Sequence, residues 1–349
     1  MPSNRVTIDE LARHLGLSKF SVSRALSGKS GVGDATRLRV VRAASQLGYR
    51  PARPGSVPQR QVLFIMQDQD AVSSELWINM LHGADREGAR RGLAIVPRQA
   101  TRGATLPSPE ASVAGIIFAV NTPDPYMPWA ARTGLPVACA GYGTALGSAD
   151  RVVGADWEGG FAAARHLAGL GHRRIGFVRG MAGLYGRGER WRGLCDGAAA
   201  ADESIEVRDI TFPELTGFRE VFERLVQGGF APTALFCAHD GLAITAISEL
   251  LRFGIRVPDD ISVVGFNDFV CATQIVPQLT TIRVPQEALG AALVRCIAMR
   301  IAPNEGIAMP PLRIALTPEL IERDSTTSAA TPCWLPRIAA KQARVEAEA

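Results

Sequence analysis

The chain has 349 residues, 47% of them hydrophobic, with 38 Lys or Arg against 34 Asp or Glu and a net charge of +4. That length is too great for one ordinary domain and implies more than one. The longest uncharged apolar run, Val113 to Val120, is too short to span a bilayer, and no secretory-type apolar segment opens the chain. Six cysteines and five histidines are scattered without disulfide-framework or metal-ligand spacing. These features predict a soluble cytoplasmic protein with reduced thiols, no membrane contact, no metal and no cofactor.

Val6 to Pro51 reads as three short helices. Thr7 and Glu10 make a Thr-x-x-Glu capping box, Ile8, Leu11, Ala12 and Leu15 form one apolar stripe, and Gly16 ends the helix. Ser18 caps a second helix that turns Leu17, Val22 and Leu26 inward and Lys19, Phe20, Ser21 and Arg24 outward. After Asp34 a third helix shows Leu38, Val41, Ala44 and Leu47 at helical spacing. A helix-turn-helix lays its second helix in the major groove, where Arg24 suits a guanine edge and Phe20 a thymine methyl. The competing reading is a three-helix packing module with a solvated polar face. Charge speaks against it: residues 1–60 carry eleven Lys or Arg and three Asp or Glu, a net +8 that leaves −4 on the rest. Ser27-Gly28-Lys29-Ser30 is no phosphate loop, since Ser23 stands where a glycine is needed and a helix precedes it.

Pro51 to Gln61 is a linker in which Pro54, Gly55 and Pro58 forbid a continuous helix, and Arg50, Arg53 and Arg60 are candidates for phosphate contact. From Val62 strands alternate with helices, the pattern of a parallel sheet with helical crossovers. Ala100 to Ala114 is too short and too rich in proline and glycine for a crossover helix. The basic run from His172 suits the end of the helix from Asp156, a structural role for that histidine. His239, Asp240, Asn267 and Asp268 directly follow strands, where open α/β sheets bind ligands. Beyond Ser325 the chain reads as a loose tail.

The string V-T-I-D-E-L-A-R-H-L-G-L-S-x-x-S-V-S-R-A-L-S-G from Val6, with T-R-L-R-V-x-x-A-A-x-x-L-G-Y-R-P from Thr36, resembles the lactose-repressor (LacI/GalR) family of bacterial transcriptional regulators. The likeness continues in V-x-x-D-W-E-G-G from Val153, R-V-P-D-D-I-S-V-V-G-F-N-D from Arg256 and P-Q-L-T-T-I-R-V-P from Pro277. It implies an α/β protein. A small all-α helix-turn-helix head would precede a two-lobed body like a periplasmic binding protein, each lobe a mostly parallel sheet flanked by helices. It also implies a homodimer that binds double-stranded operator DNA under the control of a small-molecule effector, of carbohydrate type.

The expected divisions are a head at 1–51, a linker at 52–61, a body at 62–327 and a tail at 328–349. Lobe one would take about 62–156 and 284–312, and lobe two about 157–283 and 313–327. Residues expected at DNA are Thr7, Ser18, Lys19, Phe20, Ser21, Ser23, Arg24, Ser27, Lys29, Thr36 and Tyr49. Those expected at the effector are Trp77, Asp156, Arg190, His239, Asp240 and Asn267. Trp77 and Arg190 match family effector positions, with a core tryptophan and a surface arginine as the plainer readings. Asn267 stands where relatives have aspartate, which favours a neutral, hydroxylated effector. The linker departs from the family, having neither the length of its hinge helix nor the leucine that enters the minor groove. Two rival functions are a transport receptor, which the body alone would allow, and an enzyme. Gly141-x-Gly143-x-x-x-Gly147 has the wrong spacing for a dinucleotide site, and no catalytic constellation is evident.

Overall fold

The structure, a computed structural model, describes residues 8–26, 33, 36, 39–40, 43–44, 60–67, 74–100, 106–120, 124–143, 146–212, 217–302 and 309–336. The chain divides into two compact units, 1–59 and 60–349.

In the first unit α1 (Ile8–Leu15) and α2 (Lys19–Leu26) meet at a tight turn. Gly16 takes a φ of 66°, and the Leu17 amide reaches back to the Ala12 carbonyl at 3.0 Å, the closure a C-terminal glycine permits. Ser18 caps α2, its Oγ accepting from the Ser21 amide at 3.1 Å. Residues 36, 39–40 and 43–44 are helical as well. Leu11, Ala12, Val22, Ala25, Val40, Ala43 and Ala44 form the buried core. The third helix thus buries Val40, Ala43 and Ala44; Ala44 belongs to the expected stripe, whose Leu38, Val41 and Leu47 lie outside the described residues. The side chains of the expected Thr7–Glu10 capping box lie outside the described residues.

The second unit contains two six-stranded sheets. The first has the order β11-β5-β4-β3-β1-β2, built from β1 (Gln61–Gln67), β2 (Ala94–Ala100), β3 (Val113–Ala119), β4 (Val137–Ala140), β5 (Asp150–Gly154) and β11 (Arg313–Leu316). The second has the order β12-β10-β9-β8-β6-β7, built from β6 (Arg174–Gly180), β7 (Glu206–Thr211), β8 (Ala234–Cys237), β9 (Ser262–Asn267), β10 (Thr280–Arg283) and β12 (Glu319–Ile321). Every pairing is parallel except β10 with β12. Helices α3 (Ser74–Arg90) and α10 (Gln286–Ile301) cover one face of the first sheet, and α4 (Met127–Thr133) packs on the other. The second sheet is flanked by α5 (Asp156–Gly169), α6 (Tyr185–Ala201), α7 (Phe218–Gln227) and α8 (Asp240–Arg252), with the short α9 (Cys271–Gln274) before β10. No helix occurs among residues 106–112, as the composition of that crossover implied.

Close helix pairing depends on glycine. A Cβ on Gly83 would strike the Glu287 carbonyl and one on Gly290 the Met80 carbonyl, so α3 and α10 touch backbone to backbone. Gly160 and Gly193 do the same for α5 and α6.

Four boundaries move. Gln61, expected in the linker, opens β1 opposite Ala94, because a parallel edge partner satisfies its backbone. Arg60, expected in the linker, groups with the body, its Nη1 donating to the Ile301 carbonyl at 3.5 Å. Residues 313–316, expected in the second lobe, pair with β5 and extend the first sheet, so the chain crosses between lobes a last time before Glu319. The tail is not loose from 328. The Ala329 amide donates to the Leu170 carbonyl at 2.8 Å, and Trp334 is fully buried against Phe222. Residues 337–349 lie outside the described part.

Candidate ligand cavity and nucleic-acid interface

In parallel sheets the loops after the strands and the N-termini of the following helices converge at the carboxyl edge, which makes that edge the natural place for a ligand. In the body a cavity of about 150 Å3 opens there. Trp77 and Met80 of α3, Tyr142 after β4 and Gly154 at the end of β5 line it from the first lobe. Asp156, Tyr185, Arg187, Arg190, His239, Asn267 and Phe269 line it from the second.

Arg190 is fixed on three sides. Its Nε donates to Asp156 Oδ1 at 2.7 Å, its Nη1 to the Ala238 carbonyl, and its guanidinium carbon lies 3.7 Å from the centre of the Phe266 ring. A planar fork held this way keeps one orientation toward the cavity. Burial pushes the Asp156 carboxyl above its ordinary value, and the Arg190 charge and hydrogen bond pull it back. Such pairing is what makes a buried charge tolerable.

His239 caps α8, its Nδ1 accepting from the Leu242 amide at 3.3 Å. An accepting Nδ1 carries no hydrogen, so the neutral ring holds its proton on Nε2 and is a donor there. Burial, followed by the charges of Arg187 and Arg190, pushes its pKa down to about 3, which keeps the ring neutral at physiological pH. Burial and the nearby Asp156 push the Tyr142 phenol upward, so it remains a protonated donor. Trp77 is both core and cavity wall: it is buried, and its Nε1 has no hydrogen-bond partner among the described residues. A buried donor left unpaired costs about 1–3 kcal/mol, which an acceptor on a ligand would relieve.

Asn267 has a φ of 102° and Asp268 a φ of 55°, the left-handed region that costs a non-glycine residue on the order of 1 kcal/mol or more. The Asn267 carbonyl accepts from Gln286 Nε2 at 3.0 Å, and Gln286 Oε1 accepts from Asn79 of α3 at 2.8 Å, linking the lobes beside the cavity.

Five of the six residues expected at the effector therefore share one cavity: Trp77, Asp156, Arg190, His239 and Asn267. Asp240 does not. It is fully buried behind the wall, accepting from the Phe269 amide and the Thr281 hydroxyl, because the first turn of α8 points inward under β9. Asp268 is also diverted, to ion pairs with Arg283 at 2.8 Å and Arg323 at 2.6 Å. Sequence reasoning missed Tyr142, Tyr185, Arg187 and Phe269. Two signals were available: Arg187 lies one helical turn before Arg190, and Tyr142 follows a strand as His239 does.

In the head, Ser18 and Lys19 are exposed, while Ser21, Arg24 and Thr36 are half-buried. Ser21 Oγ lies 2.8 Å from Ser18 Oγ, so this hydroxyl already has one local partner. Arg24 was expected fully outward. Partial burial is usual for a long arginine stem lying along its own helix. Phe20 and Ser23 lie on α2, with side chains outside the described part. Thr7, Ser27, Lys29 and Tyr49 lie outside the described residues.

Comparison with known proteins assigns both units. The family model for bacterial regulatory proteins of the lacI family matches residues 7–52, and that for the periplasmic binding protein-like domain matches residues 164–326. The chain belongs to the LacI family of bacterial regulatory proteins. It is 28% identical over 339 residues to the HTH-type transcriptional regulator DegA of Bacillus subtilis, covering 93% of this chain and 98% of DegA. It is 26% identical over 335 residues to the transcriptional repressor PurR of Haemophilus influenzae, covering 92% and 99% respectively. Among solved structures, the transcriptional regulator CelR in complex with cellobiose superimposes with a TM-score of 0.64 at 25% identity, over 92% of this chain and 100% of CelR. The lac repressor dimer bound to operator and the anti-inducer ONPF shares the fold, with a TM-score of 0.68 at 22% identity over 93% and 100%.

As a LacI-family member the protein is a DNA-binding transcriptional regulator, and the relatives it matches are regulators rather than enzymes. Among the described residues no helix is long and apolar enough to cross a membrane.

Proposed function

We propose that this LacI-family protein is a homodimeric repressor whose operator affinity is set by a small neutral polyhydroxylated effector, a sugar or close relative, held in the cavity between its lobes. The observation that carries the proposal is the two-sided lining, with Trp77 and Met80 from one lobe and Arg190, His239 and Asn267 from the other. A ligand touching both lobes favours one lobe arrangement over another, and such differential contact is what shifts a conformational equilibrium.

The chemistry of the lining favours hydroxyl groups over charge. Arg190 is neutralised by Asp156, His239 is uncharged and Asn267 brings no charge, while Arg187 keeps its charge with its Nη1 turned to the carbonyls of Arg179 and Met181. Donors at His239 Nε2 and Trp77 Nε1, with acceptors on Asp156 and Asn267, suit a ring of hydroxyls. Trp77, Tyr185 and Phe269 suit the apolar face of a sugar ring. The CelR complex holds cellobiose, and a LacI-family regulator of Enterococcus faecium holds ribose, both of this chemical class.

A thermal-shift screen of neutral sugars tests the reading, since a ligand at 100 times its Kd adds about 2.7 kcal/mol of stability. Asn267→Ala should weaken calorimetric binding of the sugar found. Unchanged affinity in both Asn267→Ala and Trp77→Ala would remove the site.

A further inference from the structure

Asp240 sits behind the turn that brings Asn267 and Phe269 to the cavity wall. Its Oδ2 accepts from the Phe269 amide at 2.7 Å and its Oδ1 from the Thr281 hydroxyl at 2.6 Å. The space is reserved by Gly265 of β9, where any side chain would run into Oδ1. The turn is strained at both Asn267 and Asp268, and backbone of that kind persists only where its surroundings fix it. The next amide, Val270, donates to Glu75 Oε1 of the first lobe at 3.0 Å. We propose that Asp240 is a positioning residue of the ligand cavity: its buried carboxyl holds the Asn267–Phe269 turn in shape and, through Val270, its junction with Glu75. This rests on reading the cavity as the effector site, but it concerns the turn itself and is tested without ligand.

The carboxyl has no cationic partner among the described residues. Asp268 on the turn, Cys237 at the end of β8 and Cys271 on α9 are the titratable groups around it. Arg283 and Arg323 are taken up by Asp268, Glu75 by Val270, and the adjacent His239 is neutral. Desolvation pushes the Asp240 pKa up to about 7, against the hydrogen bonds from Thr281 and Phe269 and with the charge of Asp268 adding to it. Opening the turn admits water and returns the carboxyl toward its ordinary value. The closed turn therefore binds more protons than the open one, and its closure is fully favoured in acid and weakens as pH rises through about 7.

Amide hydrogen exchange on the ligand-free full chain, corrected for intrinsic exchange rates, reads this directly. Protection of the Phe269 and Val270 amides should fall about tenfold between pH 6 and pH 8 in the wild type. Asp240→Asn, a neutral isostere, should stay protected with no step in pH. Asp240→Ala should lose about tenfold at these two amides at pH 6 while β1 and β3 keep theirs. Thr281→Val removes a hydrogen bond that favours the ionised form, so it should move the step to higher pH, and it serves if Asp240→Ala does not fold. A flat wild-type profile, an unchanged step in Asp240→Asn or an unmoved midpoint in Thr281→Val overturns the proposal. Failure of every sugar to bind would overturn the effector reading and leave this result standing.

Discussion

Arg190 and Asp156 bind each other before they bind anything else. With the two side chains only 14% and 9% exposed, Arg190→Ala leaves a carboxylate buried without its partner, and the body should lose about 3–5 kcal/mol in urea denaturation. Replacing both, as Arg190→Met with Asp156→Leu, should recover most of that loss, the non-additivity expected of a direct pair. His172 is the second residue with a sharp expectation. Its Nδ1 lies 2.9 Å from Thr233 Oγ1, and its Nε2 lies 3.1 Å from Ser262 Oγ and 3.0 Å from the Thr327 carbonyl. Burial holds its pKa down at about 4. The unfolded chain then binds the extra proton between pH 6.5 and pH 4, so this contribution to stability is complete above pH 6.5 and is lost on acidification, by up to about 3 kcal/mol. Denaturation midpoints measured across that range should fall in the wild type and fall less in His172→Gln. At this scale the position of a polar residue after a strand was legible for His239 and Asn267, and not for Asp240. Whether such a side chain faces the cavity or the turn depends on what β9 and β10 place beside it, here Gly265 and Thr281, and no local pattern carries that.

Among the elements, the long helices and most strands were legible, and the polar strands β5 and β10 were not. β5 begins with Asp150 and Arg151, an unpromising start for a buried strand, yet Asp150 is fully paired to Arg300 at 2.7 Å and to the Leu312 amide at 2.7 Å. In β10 Thr280 and Thr281 are buried because Ser325 and Asp240 satisfy them. Partners more than a hundred residues away, as for Asp150, turn charged sequence into core. Helix pairing is likewise tertiary information. Gly290→Ala forces α3 and α10 apart and should cost about 1–3 kcal/mol by thermal denaturation. Gly169→Ala, at a helical position with open space around it, should be neutral or stabilise by about 0.5–1 kcal/mol. The docked segment through Trp334 was invisible for a different reason: a single aromatic in an alanine-rich stretch has no periodicity to reveal it.

For the whole molecule, the net +8 of residues 1–60 against −4 elsewhere confines phosphate attraction to one end of the chain. If α2 reads bases, Arg24→Ala should cost about 1–3 kcal/mol on a selected duplex and much less on random DNA, as measured by fluorescence anisotropy. A dimer should choose half-sites about one helical turn apart. With no leucine in the linker, a circular-permutation gel assay should show less bending than the 20–90° of about that range seen with wedging proteins. Coupling between the units tests the proposal most directly: the Kd for a duplex selected from a random pool, with and without the stabilising sugar, in the wild type and in Asn267→Ala. The sugar should change the wild-type Kd by about 5–150-fold and that of Asn267→Ala far less. A sugar that stabilises the body and leaves the wild-type Kd unchanged would contradict an effector-controlled regulator.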